Sequence, residues 1–242
     1  MRDNTTRIIA EGVSLSNDTW ETGLNNNDII VGPSGAGKTR GYLVPALLTA
    51  EGTSLIVTDT KGTLYHQYAH RLAERVDFAA LRREKTALFI NQSDLDRSMD
   101  RLISLLYSQA MFALCNTPEA EGEPYLPVRM IMDDFAAGCT VPDFDRIISV
   151  VRSRHLYLSI IIQSISQLRG LYGPDCAATI LNNCDTMLYL GGVDIDTATY
   201  LSHRTDLPVL SILEMPVDEA MLFQRGKRFR NVKRYRPELH GE

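Results

Sequence analysis

Nowhere in this chain does an apolar run approach the roughly 20 residues that a membrane-spanning helix needs, which excludes a helical span within these 242 residues. The opening "MRDNTTRIIAEG" lacks the basic, apolar and small-residue order of a secretory signal, so the chain reads as a soluble one. Cysteine is scarce. Cys115, Cys139, Cys176 and Cys184 lie far apart, without the paired spacing of a zinc site or a redox dithiol, and read as reduced thiols. His66 and His70 share a helix face in "HQYAH", but Gln67 stands where a metalloprotease needs glutamate, so a solvated helix face is expected. Positive charge is not in excess either: a net charge of −5 excludes a protein whose whole surface binds nucleic acid. One basic patch escapes that average, with Arg225, Lys227, Arg228, Arg230, Lys233, Arg234 and Arg236 around Phe229 and Tyr235. Phosphate contact with base stacking is one reading. The favoured one is a terminal hairpin turning at Gly226, its edge protected by charge. There are no repeats and no low-complexity segment, and the composition, 44% hydrophobic and 23% charged, is that of a globular protein with a sizeable core.

What is present begins with "NDIIVGPSGAGKT". Gly32, Gly37, Lys38 and Thr39 occupy the fixed positions of a Walker A loop, with Pro33, Ser34, Gly35 and Ala36 between them. Glycines let consecutive backbone N–H groups turn toward a phosphate, and the helix expected from about Lys38 adds its positive dipole end. The Lys38 ammonium would reach the outer phosphates and the Thr39 hydroxyl would serve as a Mg²⁺ ligand. The context fits: Ile29, Ile30 and Val31 form a short buried strand before the loop, and "TRGYLVPALLTA" reads as an apolar helix after it.

Strands and helices then alternate. "TSLIVTD" predicts a strand and "KGTLYHQYAHRLAERV" a helix; "KTALFIN" is again a strand. "SDLDRSMDRLISLLYSQAMFALC" predicts a long helix capped by Ser93, with Leu95, Met99, Leu102, Leu106 and Ala110 along one face. A Pro-containing loop leads to the strand "VRMIMDDF", the helix "FDRIISVVRSRH" and the strand "LYLSIIIQS". "AATILNNC" is expected to be helical, "TMLYLGG" a strand, "DIDTATYLSHRT" a helix opened by Asp194 or Asp196, and "AMLFQRG" the last central strand. This rhythm predicts an α/β fold, a mostly parallel sheet with helices on both faces and its ligand at the carboxyl ends of the strands.

That rule selects further residues. In "RMIMDDF" the strand ends on Asp133 and Asp134, the form of a Walker B segment: Asp133 would serve the Mg²⁺ shell and Asp134 would orient or deprotonate an attacking water. Most hydrolases of this type carry glutamate at the second place, so Asp134 is one methylene shorter. Gln163 ends the strand "IIIQS" and is suited to sensing a γ-phosphate. Arg152 and Arg154 close a helix, where cations complement the dipole; in a ring of subunits they become candidates for an arginine finger toward a neighbour's nucleotide. Lys61, beside Gly62, allows a role near the phosphates or simply a turn.

Taken together, "VGPSGAGKT", "VTDTKGTLY", "KTALFINQSDLDRSMDRL", "IMDDFAAGCTVPDFDRIISVVRSRHLYLSIIIQSISQL" and "ILNNCDTMLYLGG" resemble the ATPase domain of type IV coupling proteins, the TraG-like motors of conjugation and type IV secretion. The resemblance implies a RecA-like P-loop NTPase core over residues 28–242, preceded by a strand and loop extension at 1–27. It also implies a homo-hexamer that hydrolyses Mg²⁺-bound ATP between subunits and passes relaxase-bound DNA or secreted proteins to a secretion channel at the cytoplasmic face of the bacterial membrane. It carries Gln163 over as sensor and Arg152 as the better finger. Members normally have N-terminal membrane helices and an all-helical insertion. Neither is recognisable here, and the insertion is expected to have been removed near residues 76–85. Two other readings stay open: a nucleotide-gated docking module with negligible turnover, and a DNA translocase of the FtsK or HerA kind.

Overall fold

The computed structural model describes residues 5–50, 52–59, 78–91, 100–136 and 140–235. The chain starts with a small antiparallel hairpin, β1 (Thr6–Ala10) and β2 (Val13–Ser16), followed by the helical turn α1 (Thr19–Thr22) capped by Asp18. The main sheet is built from β3 (Asp28–Val31), β4 (Ser54–Asp59), β5 (Ala87–Asn91), β6 (Val128–Met132), β7 (Leu156–Ile162), β8 (Thr186–Tyr189), β9 (Glu219–Gln224) and β10 (Arg230–Lys233). Its order across the 8-stranded sheet is β5-β4-β6-β7-β3-β8-β9-β10. From β5 to β8 all neighbours run parallel, whereas β9 and β10 return antiparallel as an edge hairpin.

The central strands are buried on both faces, so they read as continuous apolar runs, and successive residues feed two separate cores. Ile29, Met130, Ile160 and Met187 point into one, together with most helices: α3 (Asp100–Asn116), α4 (Phe144–Val150), α5 (Ile165–Tyr172), α6 (Pro174–Asn182), α7 (Ile195–Thr205) and α8 (Val209–Leu213). Ile30, Ile131, Ile161 and Leu188 point into the other, against Ile9 of β1 and Tyr42, Leu43, Val44 and Ala46 of the helix after the glycine loop. The α/β architecture expected from the alternation is the one observed.

Some local expectations are corrected. Of the expected face of α3, Ala110 is buried and Leu106 packs against the core, but Leu102 is 56% exposed; the buried stripe is Ile103, Tyr107, Ala110, Met111 and Leu114. Leu105 and Phe112 are exposed as well, so this helix is apolar nearly all round and its periodicity alone does not choose a face. The expected cap Ser93, with Leu95 and Met99, lies outside the described residues, as do Lys61, His66, His70, Cys139 and Arg236. Two short helices, α5 and α8, follow strands or loops where none was expected. The helix after the loop begins as a π-turn, Thr39–Leu43, and becomes α-helical only as α2 (Val44–Leu48). Pro45 explains this: it has no N–H and its ring would collide with the carbonyl of residue 41 in a continuous α-helix, and one wider turn relieves both.

A buried ionic cluster sits beneath the site at the amino ends of the strands. Asp28, first residue of β3, receives Arg7 from β1 at 3.0 Å, Arg129 from β6 at 3.0 Å and the Tyr42 hydroxyl at 2.8 Å. Tyr42 also shares a hydrogen bond with Ser159 of β7. One carboxylate thereby ties three strands to the helix that follows the glycine loop. Burial and the nearby Asp28 raise the Tyr42 phenol well above its usual range, so it acts as a neutral donor.

Candidate nucleotide site

The glycine loop leaves the end of β3, and its conformation needs its glycines: Gly35 and Gly37 both have left-handed backbones, with φ of 78° and 79°. Gly32 is required for space, because a Cβ there would stand 3.0 Å from the Cβ atoms of both Ala36 and Leu190. Lys38 is buried; its ammonium donates to the carbonyls of Gly32 at 2.9 Å and Pro33 at 3.1 Å. Ser34, Gly35 and Gly37 are exposed and Thr39 is half-buried.

The neighbouring strands end at the same edge. β7 lies between β3 and β6, pairing Val31 with Ile162 and Met132 with Ile160. Gly32 N–H donates to the Ile162 carbonyl at 3.2 Å, so the loop starts beside Gln163. On the other side of β7, Asp133 and Asp134 turn off β6. Asp133 Oδ1 accepts the Asp134 N–H at 3.0 Å, and Asp134 takes a left-handed backbone, φ 48°, which aspartate tolerates better than most residues. Gln163 Nε2 then donates to Asp134 Oδ1 at 3.4 Å. Loop, carboxylate pair and glutamine thus meet at three adjacent strand ends.

Arg152 and Arg154 are elsewhere. They occupy the 3₁₀ turn Val151–Arg154 that precedes β7, so the whole length of that strand, about 23 Å at ~3.3 Å per residue, separates them from Gln163. Both are exposed. Their turn is held from behind by Arg82, whose guanidinium donates to the carbonyls of Arg154 at 2.6 Å, His155 at 2.9 Å, Leu126 and Leu114. Arg82 belongs to the segment 78–85, where the expectation placed a removed insertion, and it is 1% exposed.

Sequence reasoning named Asp194 as one of two candidate helix caps, which it is, but missed how it and a glycine pair support the site. The pair Gly191 and Gly192 after β8 backs the loop: a Cβ on Gly192 would meet Pro33 Cδ at 3.3 Å, and the Leu190 N–H donates to the Val31 carbonyl at 2.7 Å. Beyond Gln163, Asp194 clips two helix starts together. Its carboxylate accepts from Ser166 Oγ at 2.6 Å and, as cap of α7, from Thr197 N at 2.8 Å and Thr197 Oγ1 at 2.6 Å. Burial pushes the Asp194 carboxyl up, but the Ser166 and Thr197 hydrogen bonds outweigh it and hold the group below the usual aspartate value.

The basic patch resolves into the expected hairpin. Arg225 pairs with Asp185, Lys233 with Asp218, Arg230 donates to Gln224 and Arg234 to backbone carbonyls, which leaves Lys227 and Arg228 without a side-chain hydrogen bond or ion pair among the described residues. Among the described residues no helix is long and apolar enough to cross a membrane, and no cluster of His, Cys, Asp and Glu forms a metal site. The donor set at the strand ends nevertheless fits a phosphate chain with Mg²⁺: glycine N–H groups, one ammonium, one hydroxyl and carboxylates.

Comparison with known proteins agrees with this geometry. Residues 1–75 match the family described as "Type IV secretory system Conjugative DNA transfer", and residues 127–205 match "TraM recognition site of TraD and TraG". No curated protein gives a significant match. Among solved structures, the fold is shared with the unbound bacterial conjugative coupling protein TrwBΔN70, 12% identical, with a TM-score of 0.76 over 96% of this chain and 88% of that one. It is also shared with plasmid coupling protein TrwB in complex with ADP and Mg²⁺, 13% identical, TM-score 0.75, covering 96% and 90% of the two chains. The genome packaging NTPase B204 of Sulfolobus turreted icosahedral virus 2 in complex with AMPPCP is 14% identical, with a TM-score of 0.59 over 87% of this chain and 98% of that one. The fold is therefore that of the P-loop NTPases, and with both family models falling in order along it, the chain belongs to the TraG-like type IV coupling proteins.

Proposed function

We propose that this chain binds Mg²⁺-bound ATP in the loop Gly32–Thr39 and hydrolyses it as the motor of a type IV coupling protein, delivering relaxase-bound DNA or protein substrates to a secretion channel. The observation that carries this reading is the convergence of the loop, the Asp133–Asp134 pair and Gln163 at three neighbouring strand ends. The TrwB structures with ADP and Mg²⁺ and with an ATP analogue support it by showing that the shared fold takes these ligands.

Each residue has a chemical task in this reading. Gly35, Gly37 and neighbouring N–H groups, with the Lys38 ammonium, hold the phosphates; Thr39 and Asp133 are the residues that would hold Mg²⁺, which supplies charge neutralisation on them. Asp134 orients or deprotonates the attacking water and Gln163 reports the terminal phosphate. Arg152, or else Arg154, acts on a neighbouring subunit's nucleotide in a ring, since neither reaches the strand-end site of its own chain. Partners follow from the family: the hexamer itself, the relaxosome with its DNA, and channel components at the cytoplasmic face of the membrane. The match to a TraM recognition region supports a relaxosome protein contact across residues 127–205.

The test is ATP turnover per chain over a wide range of protein concentration, with Lys38→Ala as background and single-stranded DNA present or absent. A specific rate that climbs with concentration and vanishes in the variant is expected. Binding of ATP with turnover no higher than the variant's would make the chain a nucleotide-gated docking module instead.

A further inference from the structure

The last strand ends on an arginine that turns inward. Arg234 directly follows β10, and its guanidinium donates to three backbone carbonyls: Nε to Glu219 at 3.0 Å, Nη1 to Ala36 at 2.9 Å and Nη2 to Leu190 at 2.6 Å. The acceptors belong to the start of β9, to the glycine loop and to the segment leaving β8. Its own N–H is used as well, donating to the Asp218 carbonyl at 2.9 Å. The other hairpin cations bond to Asp185, Gln224, Asp218, Glu219 and the Gly23 carbonyl, and none of these bonds touches the loop.

The contact with Ala36 bears on phosphate binding through peptide geometry. A trans peptide points its C=O and N–H in opposite directions. Ala36 stands between Gly35 and Gly37, the two left-handed residues, where the backbone has the most freedom to rotate its peptide planes. Fixing the Ala36 carbonyl on the Arg234 side therefore aims the Gly37 N–H the other way, away from the hairpin. In a loop of this sequence pattern, consecutive N–H groups pointing to one side form the anion cradle. The three carbonyls meet three different nitrogens of one planar fork; a lysine ammonium has three donors too, but on a single nitrogen, and does not reproduce that spread.

We propose that Arg234 is a positioning residue of the phosphate loop: it holds the Ala36 carbonyl away from the nucleotide, orients the Gly37 N–H toward an incoming phosphate, and ties that orientation to the edge hairpin. The inference rests on the nucleotide reading above.

The test measures the affinity of Mg²⁺-bound N-methylanthraniloyl-ADP for wild type, Lys38→Ala, Arg234→Ala, Arg234→Lys and Arg230→Ala, with the melting temperature of each. Arg230 lies on the same hairpin and its removal is expected to leave affinity unchanged. Loss of one well-aimed N–H to a charged phosphate predicts weakening of about 10- to 100-fold in Arg234→Ala. Arg234→Lys, which keeps the charge and loses the fork, is expected to weaken binding as well and serves alone if the alanine variant does not fold. A purely structural arginine would lower the melting temperature while folded protein bound the probe within about twofold of wild type, and that result overturns the proposal. Wild type that binds no better than Lys38→Ala would overturn the nucleotide reading, and this inference with it.

Discussion

Gln163 Nε2 stands 3.4 Å from Asp134 Oδ1, joining the tips of two adjacent strands directly beside the glycine loop. The amide donates, so the Asp134 carboxylate is oriented by a side chain that itself lies next to Gly32 through the Ile162 carbonyl. In the water-activating role proposed for it, a carboxylate held in this way should matter for the chemical step and little for holding the phosphates. Asp134→Asn is expected to lower turnover by about 10²- to 10⁴-fold while Mg²⁺-bound ADP still binds. Gln163→Ala should lower kcat in the same direction without abolishing binding. Single-turnover rates and equilibrium binding on the same preparations check both; equal losses in rate and affinity would mean that the pair shapes the pocket rather than the reaction.

The cluster around Asp28 predicts a stability effect of a different kind. Arg7 and Arg129 both spend hydrogen bonds on this carboxylate, all three groups are buried, and Arg129 Nη2 already finds no acceptor among the described residues. Removing the carboxylate strands two buried cations. Asp28→Ala is therefore expected to cost about 3–5 kcal/mol in urea denaturation, the cost of breaking a buried ion pair from one side. A loss below about 1 kcal/mol would show that water or rearrangement satisfies both guanidinium groups.

Much of this was legible from residue order, and the reasons for the rest are physical. Strands such as "DIIV" and "SIII" announce themselves because parallel strands buried on both faces are uninterrupted apolar runs. The strand-end rule then placed Asp133, Asp134 and Gln163 at one edge, since each follows such a run. Arg7, Asp28 and Arg129 were not legible as a group: a charged residue inside an apolar strand signals a buried partner without saying which. Arg234 was read as one cation among seven, because its acceptor at Ala36 is 198 residues away and backbone carbonyls leave no mark in sequence. The stripe of α3 is only partly the expected one, Leu106 and Ala110 packing inward and Leu102 not, because Leu102, Leu105 and Phe112 are apolar yet exposed and apolar periodicity has more than one solution. The π-turn at Thr39–Leu43 had a visible cause, Pro45, that sequence reasoning did not use.

Asp194 links stability near the end of β7 to pH. Its folded value lies below the ordinary aspartate value of 3.8, so its stabilising contribution is fully present above that value and is lost as pH falls through the folded one. Replacing a helix cap of this kind by alanine costs about 0.5–2 kcal/mol. Asp194→Ala should thus be destabilised by such an amount at neutral pH, and its deficit relative to wild type should shrink on acidification below 3.8. Urea midpoints measured for both proteins from neutral pH into the acid range decide it. A deficit independent of pH would assign the effect to packing instead of to the charged form.

The position of Arg152 yields the sharpest test of assembly. It lies at the amino end of β7, about 23 Å of strand away from Gln163, so a chain cannot offer it to its own phosphates. In a closed ring with heterologous contacts, each site would combine the loop of one chain with the arginine of the next. Lys38→Ala removes the first half of such a site and Arg152→Ala the second. Each variant alone should be inactive at every concentration. Mixed in equal amounts, the Arg152→Ala chain still has its loop and the Lys38→Ala chain still has its arginine, so roughly a quarter of interfaces are complete under random assembly. Turnover of the mixture should therefore rise above the sum of its parts, and rise further with total protein concentration. If it does not, while Arg154→Ala mixed with Lys38→Ala does recover, the finger is Arg154. Recovery in neither mixture, with Arg152→Ala active by itself when dilute, would place all the required groups within one chain.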